Sequence, residues 1–195
     1  MPNDVLSPLL QALLDLIKWL QERNVRGIII GGVAASLLGR PRVTRDIDAL
    51  VLLDSIWWEE FLNGGQPFGF IPRIGDPLIF AQKSRVLLVT HNPSGIDIDI
   101  SFGILPFEEE AVDRAVSTEV AGITIPLPTP EDLTIMKAIA HRPIDMADIQ
   151  SLMDAHPDID MRRVRQWVKE FSDILEMPEI YNDLEKILSQ RKNSL

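Results

Sequence analysis

Apolar positions along this 195-residue chain change their period several times. Leu6, Leu9, Leu10, Leu13, Leu14, Ile17 and Leu20 recur every three or four residues, with Asp4, Gln11, Asp15 and Lys18 among them. That spacing predicts an amphipathic helix over about 5–23, packed on the rest of the fold. The continuous run Ile28-Ile29-Ile30 predicts a strand over 27–31, ended by the Gly31-Gly32 pair. A short helix is expected over 32–39, then a strand over 46–53 containing the apolar run Ala49-Leu50-Val51-Leu52-Leu53. Ser55–Leu62 reads as a helix stopped by Asn63-Gly64-Gly65, and the Gly- and Pro-rich stretch 64–78 reads as a loop. Residues 85–90 and 96–102 alternate as neighbouring strands, and Asn92-Pro93-Ser94-Gly95 between them predicts a hairpin turn. Phe107–Ala115 reads as a helix whose glutamate-rich first turn suits the helix dipole, and Gly122–Ile125 as a short last strand.

Pro126-Leu127-Pro128 breaks this mixed pattern, and everything after it reads as helix: 130–141, 145–155, 160–172 and 178–191. Thr129 can cap the first of these, with Pro130 at its first position. The fold class expected is α/β, more specifically α+β: a mixed β-sheet flanked by helices. The predicted division is an α/β core over 1–127, including the N-terminal helix, and a helical region over 128–195. A chain of this length can bury a sizeable core.

Composition narrows the chemistry. Hydrophobic residues make up 46% and charged residues 25%, as in an ordinary globular protein. There is no cysteine, which removes disulfides, thiolate metal sites and cysteine nucleophiles and fits a reducing cytoplasm. No apolar stretch reaches the ~18 residues that span a bilayer, so no membrane role is expected. A net charge of −10 argues against a surface that coats nucleic acid, although Arg40, Arg42 and Arg45 form a local basic loop. His91, His141 and His156 show no metal-ligand spacing, and Trp57, Trp58 and Trp167 read as packing residues.

The basic loop ends in Asp46-Ile47-Asp48 at the start of a strand. Strand alternation points both carboxylates to one face, where they repel each other unless a cation intervenes. Paired hard oxygens suit Mg2+ or Mn2+. The Gly31-Gly32 pair upstream allows backbone amides at a helix start to approach a phosphate. A phosphate cradle beside metal-binding carboxylates points to phosphoryl or nucleotidyl transfer. Asp97 and Asp99 share a face in the same way, opposite Ile96, Ile98 and Ile100. Each feature has a plainer reading. An Asp-x-Asp also forms polar strand edges or caps, Asp97 reads equally well as a solvent-facing edge, a Gly pair also serves strand–helix packing, and an Arg cluster also forms a solvated, charge-balanced loop. Ser36 and Thr44 read as ordinary helix and loop residues.

The segment Gly31-Gly32-Val33-Ala34-Ala35-Ser36-Leu37-Leu38-Gly39-Arg40-Pro41-Arg42-Val43-Thr44-Arg45-Asp46-Ile47-Asp48 resembles the signature of the polymerase-β-like minimal nucleotidyltransferase superfamily. The form Arg42-Val43-Thr44-Arg45-Asp46-Ile47-Asp48 is similar to the nucleotidyltransferases related to AbiEii-type toxins. Pro130-Glu131-Asp132-Leu133 through Lys137, Arg142, Asp145 and Asp148 resembles a helical block of the same group. The resemblance spans about residues 26–155 and implies a nucleotidyltransferase-like fold. It also implies a third acid: Asp99, or its neighbour Asp97, beside Asp46 and Asp48 as catalytic and metal-binding residues. Ser101-Phe102-Gly103 and Pro106-Phe107-Glu108 resemble the family's segment just after that acid, which would share a metal and take the proton of an acceptor hydroxyl. Gly31, Gly32, Arg42, Arg45 and Lys137 would contact the nucleotide, Lys137 by resemblance alone, since a mid-helix lysine otherwise reads as snorkelling. Arg142, Asp145 and Asp148 read as local ion pairs at a helix junction.

The resemblance further implies a nucleoside triphosphate as donor, Mg2+ or Mn2+ as cofactor, a tRNA or protein as acceptor, an antitoxin protein as partner and a cytoplasmic location. Two other functions compete. One is a nucleotide-binding or protein-interaction module that has lost catalysis, against which stand the retained acids. The other is a metal-dependent glycosyltransferase, against which stands the Gly-Gly–helix arrangement. Neither a Gly-x-Gly-x-x-Gly nor a Gly-Lys-Ser/Thr loop is present.

Overall fold

A computed structural model describes residues 7–192. Asp4 and Leu6, which the N-terminal helical pattern included, lie outside the described residues. The chain divides into two compact units: residues up to Val33 with Val43–Leu127, and Ala34–Arg42 with the residues from Pro128 onward.

The first unit is built on a five-stranded sheet. Its strands are β1 (Arg26–Ile30), β2 (Asp46–Leu52), β3 (Phe70–Pro72), β4 (Val86–His91) and β5 (Ile96–Phe102), in the order β1-β2-β5-β4-β3. Only the β2–β5 pair is parallel; β1–β2, β4–β5 and β3–β4 are antiparallel. One face is apolar and buried: Ile47, Ala49 and Val51 of β2, Leu87 and Val89 of β4, and Ile98, Ile100 and Phe102 of β5. Helix α1 (Pro8–Glu22) covers this face. Ser7 caps it by accepting from the Leu10 amide, and its buried stripe includes Leu13, Leu16, Ile17 and Trp19. Trp19 stacks on Phe61 at 4.3 Å and Phe70 at 5.0 Å, and its indole N–H donates to the Phe61 carbonyl at 3.2 Å. Stacked pairs of this kind add about 0.5–1.5 kcal/mol beyond their buried area. Of the tryptophans expected to pack, Trp58 does, on Phe102 at 4.2 Å, whereas Trp57 is 52% exposed.

Helix α2 (Gly31–Leu38) begins directly from β1, and α3 (Trp58–Gly65) follows β2 through a short 3-10 turn at Ser55–Trp57. The stretch expected to be a loop over 64–78 contains a 3-10 turn at Gln66–Phe68, strand β3 and the start of α4 (Pro77–Ser84). β3 is only three residues long, too short to show alternation, and Pro72 is tolerated because β3 is an edge strand. Helix α5 (Pro106–Asp113) is capped by Glu108, which accepts from the Ile104 and Leu105 amides at 2.8 and 2.9 Å. Strands β6 (Val116–Val120) and β7 (Ile123–Leu127) then form a separate antiparallel hairpin. The sequence pattern showed only β7. The turn residues Ala121 and Gly122 both have positive φ, 50° and 78°, as a two-residue hairpin loop requires, and an alanine in that role gives no turn signal.

In the second unit, α6 (Pro130–Ala140), α7 (Pro143–Ala155), α8 (Met161–Ile174) and α9 (Pro178–Lys192) follow the expected helices closely. The Thr129 hydroxyl accepts from the Asp132 amide at 3.2 Å. His141, at φ 52°, ends α6, and the following Arg142-Pro143 starts α7 two residues earlier than the pattern indicated. Among the described residues no helix is long and apolar enough to cross a membrane.

Candidate active site on the first unit's sheet

The β2–β5 register is what organises the acids. In this parallel pair Asp46 lies opposite Asp97 and Asp48 opposite Asp99. Because side chains alternate, all four carboxylates stand on the face opposite the buried one. The rows continue across the sheet: Thr90 lies opposite Asp97, and Ile71 opposite Thr90; Leu88 lies opposite Asp99. Ile30 lies opposite Asp48 at the end of β1, so the first residue of α2 follows directly beside that acid.

Gly31 takes φ +64°, and a β-carbon there would overlap the Asp48 carboxylate. Two constraints therefore select glycine at this position, a left-handed backbone and a side-chain oxygen where Cβ would be. Gly32 is buried as the second residue of α2. The carboxylate of Asp48 is thus held against the N-terminal end of α2, where the helix dipole favours negative charge. The Thr44 hydroxyl, to which the sequence assigned no chemistry, donates to Asp46 Oδ1 at 3.0 Å and orients it.

Arg73, which follows β3, is the residue that sequence reasoning missed. Its Nη1 donates to Asp97 Oδ2 at 3.0 Å and its Nη2 to Asp99 Oδ1. Thr90 donates to the other oxygen of Asp97 at 2.6 Å. The Thr90 hydroxyl, more than the opposing cost of burial, and then Arg73 hold the Asp97 carboxyl below its ordinary range. Partial burial works against the Arg73 charge, but its two carboxylate partners outweigh it and raise its affinity for the proton.

The four acids, Gly31 and Arg45 belong to the first unit, with Arg45 exposed just before Asp46. The other two predicted phosphate contacts, Arg42 and Lys137, belong to the second. Arg42 forms a fork on Asp148, with Nε and Nη2 each at 2.9 Å. Lys137 is 3% exposed, with its ammonium 3.0 Å from Asp145 and 2.8 Å from Asp148. It is therefore no snorkelling surface lysine, and both cations are committed to carboxylates rather than presented for a phosphate. Arg142 grips Asp145 at 2.6 Å, so the ion pairs expected at the α6–α7 junction are present. Arg40 is likewise paired, with Asp154 at 3.0 Å.

The donor chemistry of the acidic face fits a hard divalent cation: carboxylate oxygens on adjacent strands, with the Asp48 carboxylate at a glycine that leaves it room. As the side chains stand, no three His, Cys, Asp or Glu groups among the described residues close into a metal cluster. Two of the four acids are gripped by Arg73. A cavity of about 440 Å3, lined by Ile17, Leu20, Val25, Val112 and Pro126, is mostly apolar and contains none of these acids. The four carboxylates stand instead on an open sheet face.

Solved structures share this fold. An antigenic nucleotidyltransferase-like protein from Paracoccidioides brasiliensis superposes with a TM-score of 0.54 at 14% identity, over 90% of this chain and 91% of that one. The antibiotic-resistance factor ANT(2'')-Ia gives 0.59 at 16% identity, over 88% and 95%. The lincosamide antibiotic adenylyltransferase LnuA, bound to lincomycin, gives 0.51 at 15%, over 74% and 96%. At these identities the likeness establishes the fold, a nucleotidyltransferase-like α/β architecture. No curated protein matches the chain significantly. The model of the family described as nucleotidyltransferases of unknown function (DUF6036) matches residues 8–193, and with nearly the whole chain covered the protein belongs to that family.

Proposed function

We propose that this nucleotidyltransferase moves a nucleoside monophosphate from a nucleoside triphosphate to an acceptor hydroxyl, using Mg2+ or Mn2+ held by Asp46, Asp48 and Asp99. The observation that supports this most is the parallel β2–β5 register, which sets Asp99 beside Asp48, the acid that lies next to the start of α2. Bound there, a divalent cation would offset the charge of the phosphates and favour the ionised acceptor. The chain's own groups do the rest. The amides of Gly31 and Gly32 at the start of α2 face the donor phosphates, and the exposed Arg45 adds a positive charge near them. Asp99 takes the acceptor's proton. It suits that role better than Asp97, whose two oxygens are already taken by Thr90 and Arg73.

The acceptor we favour is a tRNA or a protein, with the enzyme acting as the toxin of a toxin–antitoxin pair. The antibiotic adenylyltransferases of the same fold make a small hydroxylated molecule a further acceptor class to test. Incubation with each labelled triphosphate, Mg2+ or Mn2+, and separate pools of tRNA, protein and hydroxylated small molecules reads donor and acceptor together. Label on one pool, lost on adding chelator, is the expected result. A second reading, a nucleotide-binding or protein-interaction module without catalysis, is favoured by the grip of Arg73 on Asp97 and Asp99. Nucleotide binding with no transfer to any pool would select it.

A further inference from the structure

The Arg73 fork stands where the proposed cation would have to act. The Arg73 amide donates to the Leu88 carbonyl at 3.0 Å, which continues the β3–β4 ladder by one residue past Pro72. Ile71 is on the acidic face, and alternation returns Arg73 to that face two residues later. Leu88 is the cross-strand partner of Asp99, so the arginine lies two strands, about 9–10 Å, from the acid it grips. Its extended side chain spans that gap over β4. The Arg73 side chain is only 28% exposed, and its guanidinium bridges two carboxylates instead of forking onto one. A guanidinium is a poor substitute for a divalent ion: it carries one charge spread over a plane, and it cannot draw in Asp46 and Asp48 as well.

We infer that Arg73 is a built-in counter-cation that competes with the divalent metal for the oxygens of Asp97 and Asp99, a positioning residue that holds the third acid aimed while lowering the site's affinity for metal. This rests on the reading of the acidic face as a cation-dependent site. A cation at Asp99 Oδ1 would have to displace Arg73, and one at the other oxygen would have to sit beside its positive charge; either cost is subtracted from the affinity. Arg73 then serves the reaction by keeping the acids in place before the cation arrives. It also keeps the face from holding a metal tightly on its own.

The test is Mn2+ binding without nucleotide, measured by calorimetry and by the loss of the free-ion paramagnetic resonance signal. It compares the wild type, Arg73→Ala, Arg73→Gln, Arg73→Lys and Asp48→Asn. Removing one positive charge close to the ion should tighten Mn2+ binding by on the order of tenfold in the Ala and Gln variants. Lys should fall back toward the wild type, and Asp48→Asn should bind more weakly than any. Melting in chelator controls for folding: Arg73→Ala should melt lower than the wild type and gain more from added Mn2+. Wild-type Mn2+ binding that weakens in Asp48→Asn but is unchanged or weaker in the Ala and Gln variants overturns the role of Arg73 and leaves the metal site standing. No Mn2+ binding by any of the proteins overturns both.

Discussion

Two groups of acids in this molecule are built on opposite plans. On the first unit's sheet, Asp46, Asp48, Asp97 and Asp99 share a solvent-facing surface, and Arg73 bridges two of them. In the second unit, Asp145 is fully buried and Asp148 nearly so, surrounded by Lys137, Arg42 and Arg142. A buried charge left unmatched costs several kcal/mol, so the second group must be matched, and its cations equal or exceed its acids. It has no unmet demand for a ligand. The first group is open to water, which screens the repulsion among its acids, and an external cation would reduce that repulsion further. Exposure of the acids, rather than their density, is what separates the two groups.

The sharpest way to break this contrast is to neutralise one acid in each group. Asp48→Asn should reduce nucleotide turnover by orders of magnitude, while its thermal midpoint in chelator holds or rises because repulsion on the face is relieved. Asp148→Ala should act on stability, by about 3–5 kcal/mol in urea unfolding, because Lys137 is left buried without one of its carboxylates. If Asp48→Asn unfolds the protein and Asp148→Ala leaves stability unchanged, the two groups have been assigned the wrong way round.

How much of this was legible in the sequence depends on the length of each element and on which contacts are local. The β1–α2–β2 unit was readable because two long apolar runs are punctuated by Gly31-Gly32 and Asp46-Ile47-Asp48. The β4–β5 hairpin was readable from Asn92-Pro93-Ser94-Gly95. Alternation told which face each acid takes, but not that β2 and β5 are neighbours, since a parallel pair has no turn to announce it. Arg73 was hidden for a related reason: it lies in a Gly- and Pro-rich stretch, and its role exists only once the three-residue β3 pairs with β4. The burial of Lys137 was equally silent. A mid-helix lysine reads as exposed until α7 brings Asp145 and Asp148 to it.

A smaller effect sharpens the contrast at the helix start. Gly31→Ala adds a methyl group where the Asp48 carboxylate lies and forces alanine to a positive φ, at a backbone cost of about 1–2 kcal/mol. Because the displaced group is Asp48, turnover should fall further than the modest drop in melting temperature would explain. Unchanged turnover would make the glycine a packing device.

The smallest expected effect is on pH dependence. Burial pushes the Asp145 and Asp148 carboxyls up, but hydrogen bonds from Arg142 and Lys137 to the first, and from Arg42 and Lys137 to the second, outweigh it and hold both below the ordinary carboxylate range. Their contribution to stability is therefore present above the unfolded value of about 3.9 and is lost as pH falls through the lower folded values. Unfolding of the wild type by urea should become easier below about pH 4. In Asp148→Asn that part of the acid dependence should be flatter.

The central claim, that the open carboxylate face carries nucleotidyl transfer, is tested most directly by pyrophosphate release. The assay takes the wild type and Asp99→Asn with each triphosphate, the candidate acceptor pools, and Mg2+ or Mn2+. The account predicts metal-dependent release by the wild type and a loss of about 10²–10⁴-fold in Asp99→Asn, the usual cost of removing one positioned base. Equal release by the two proteins, or release unaffected by chelator, would contradict it.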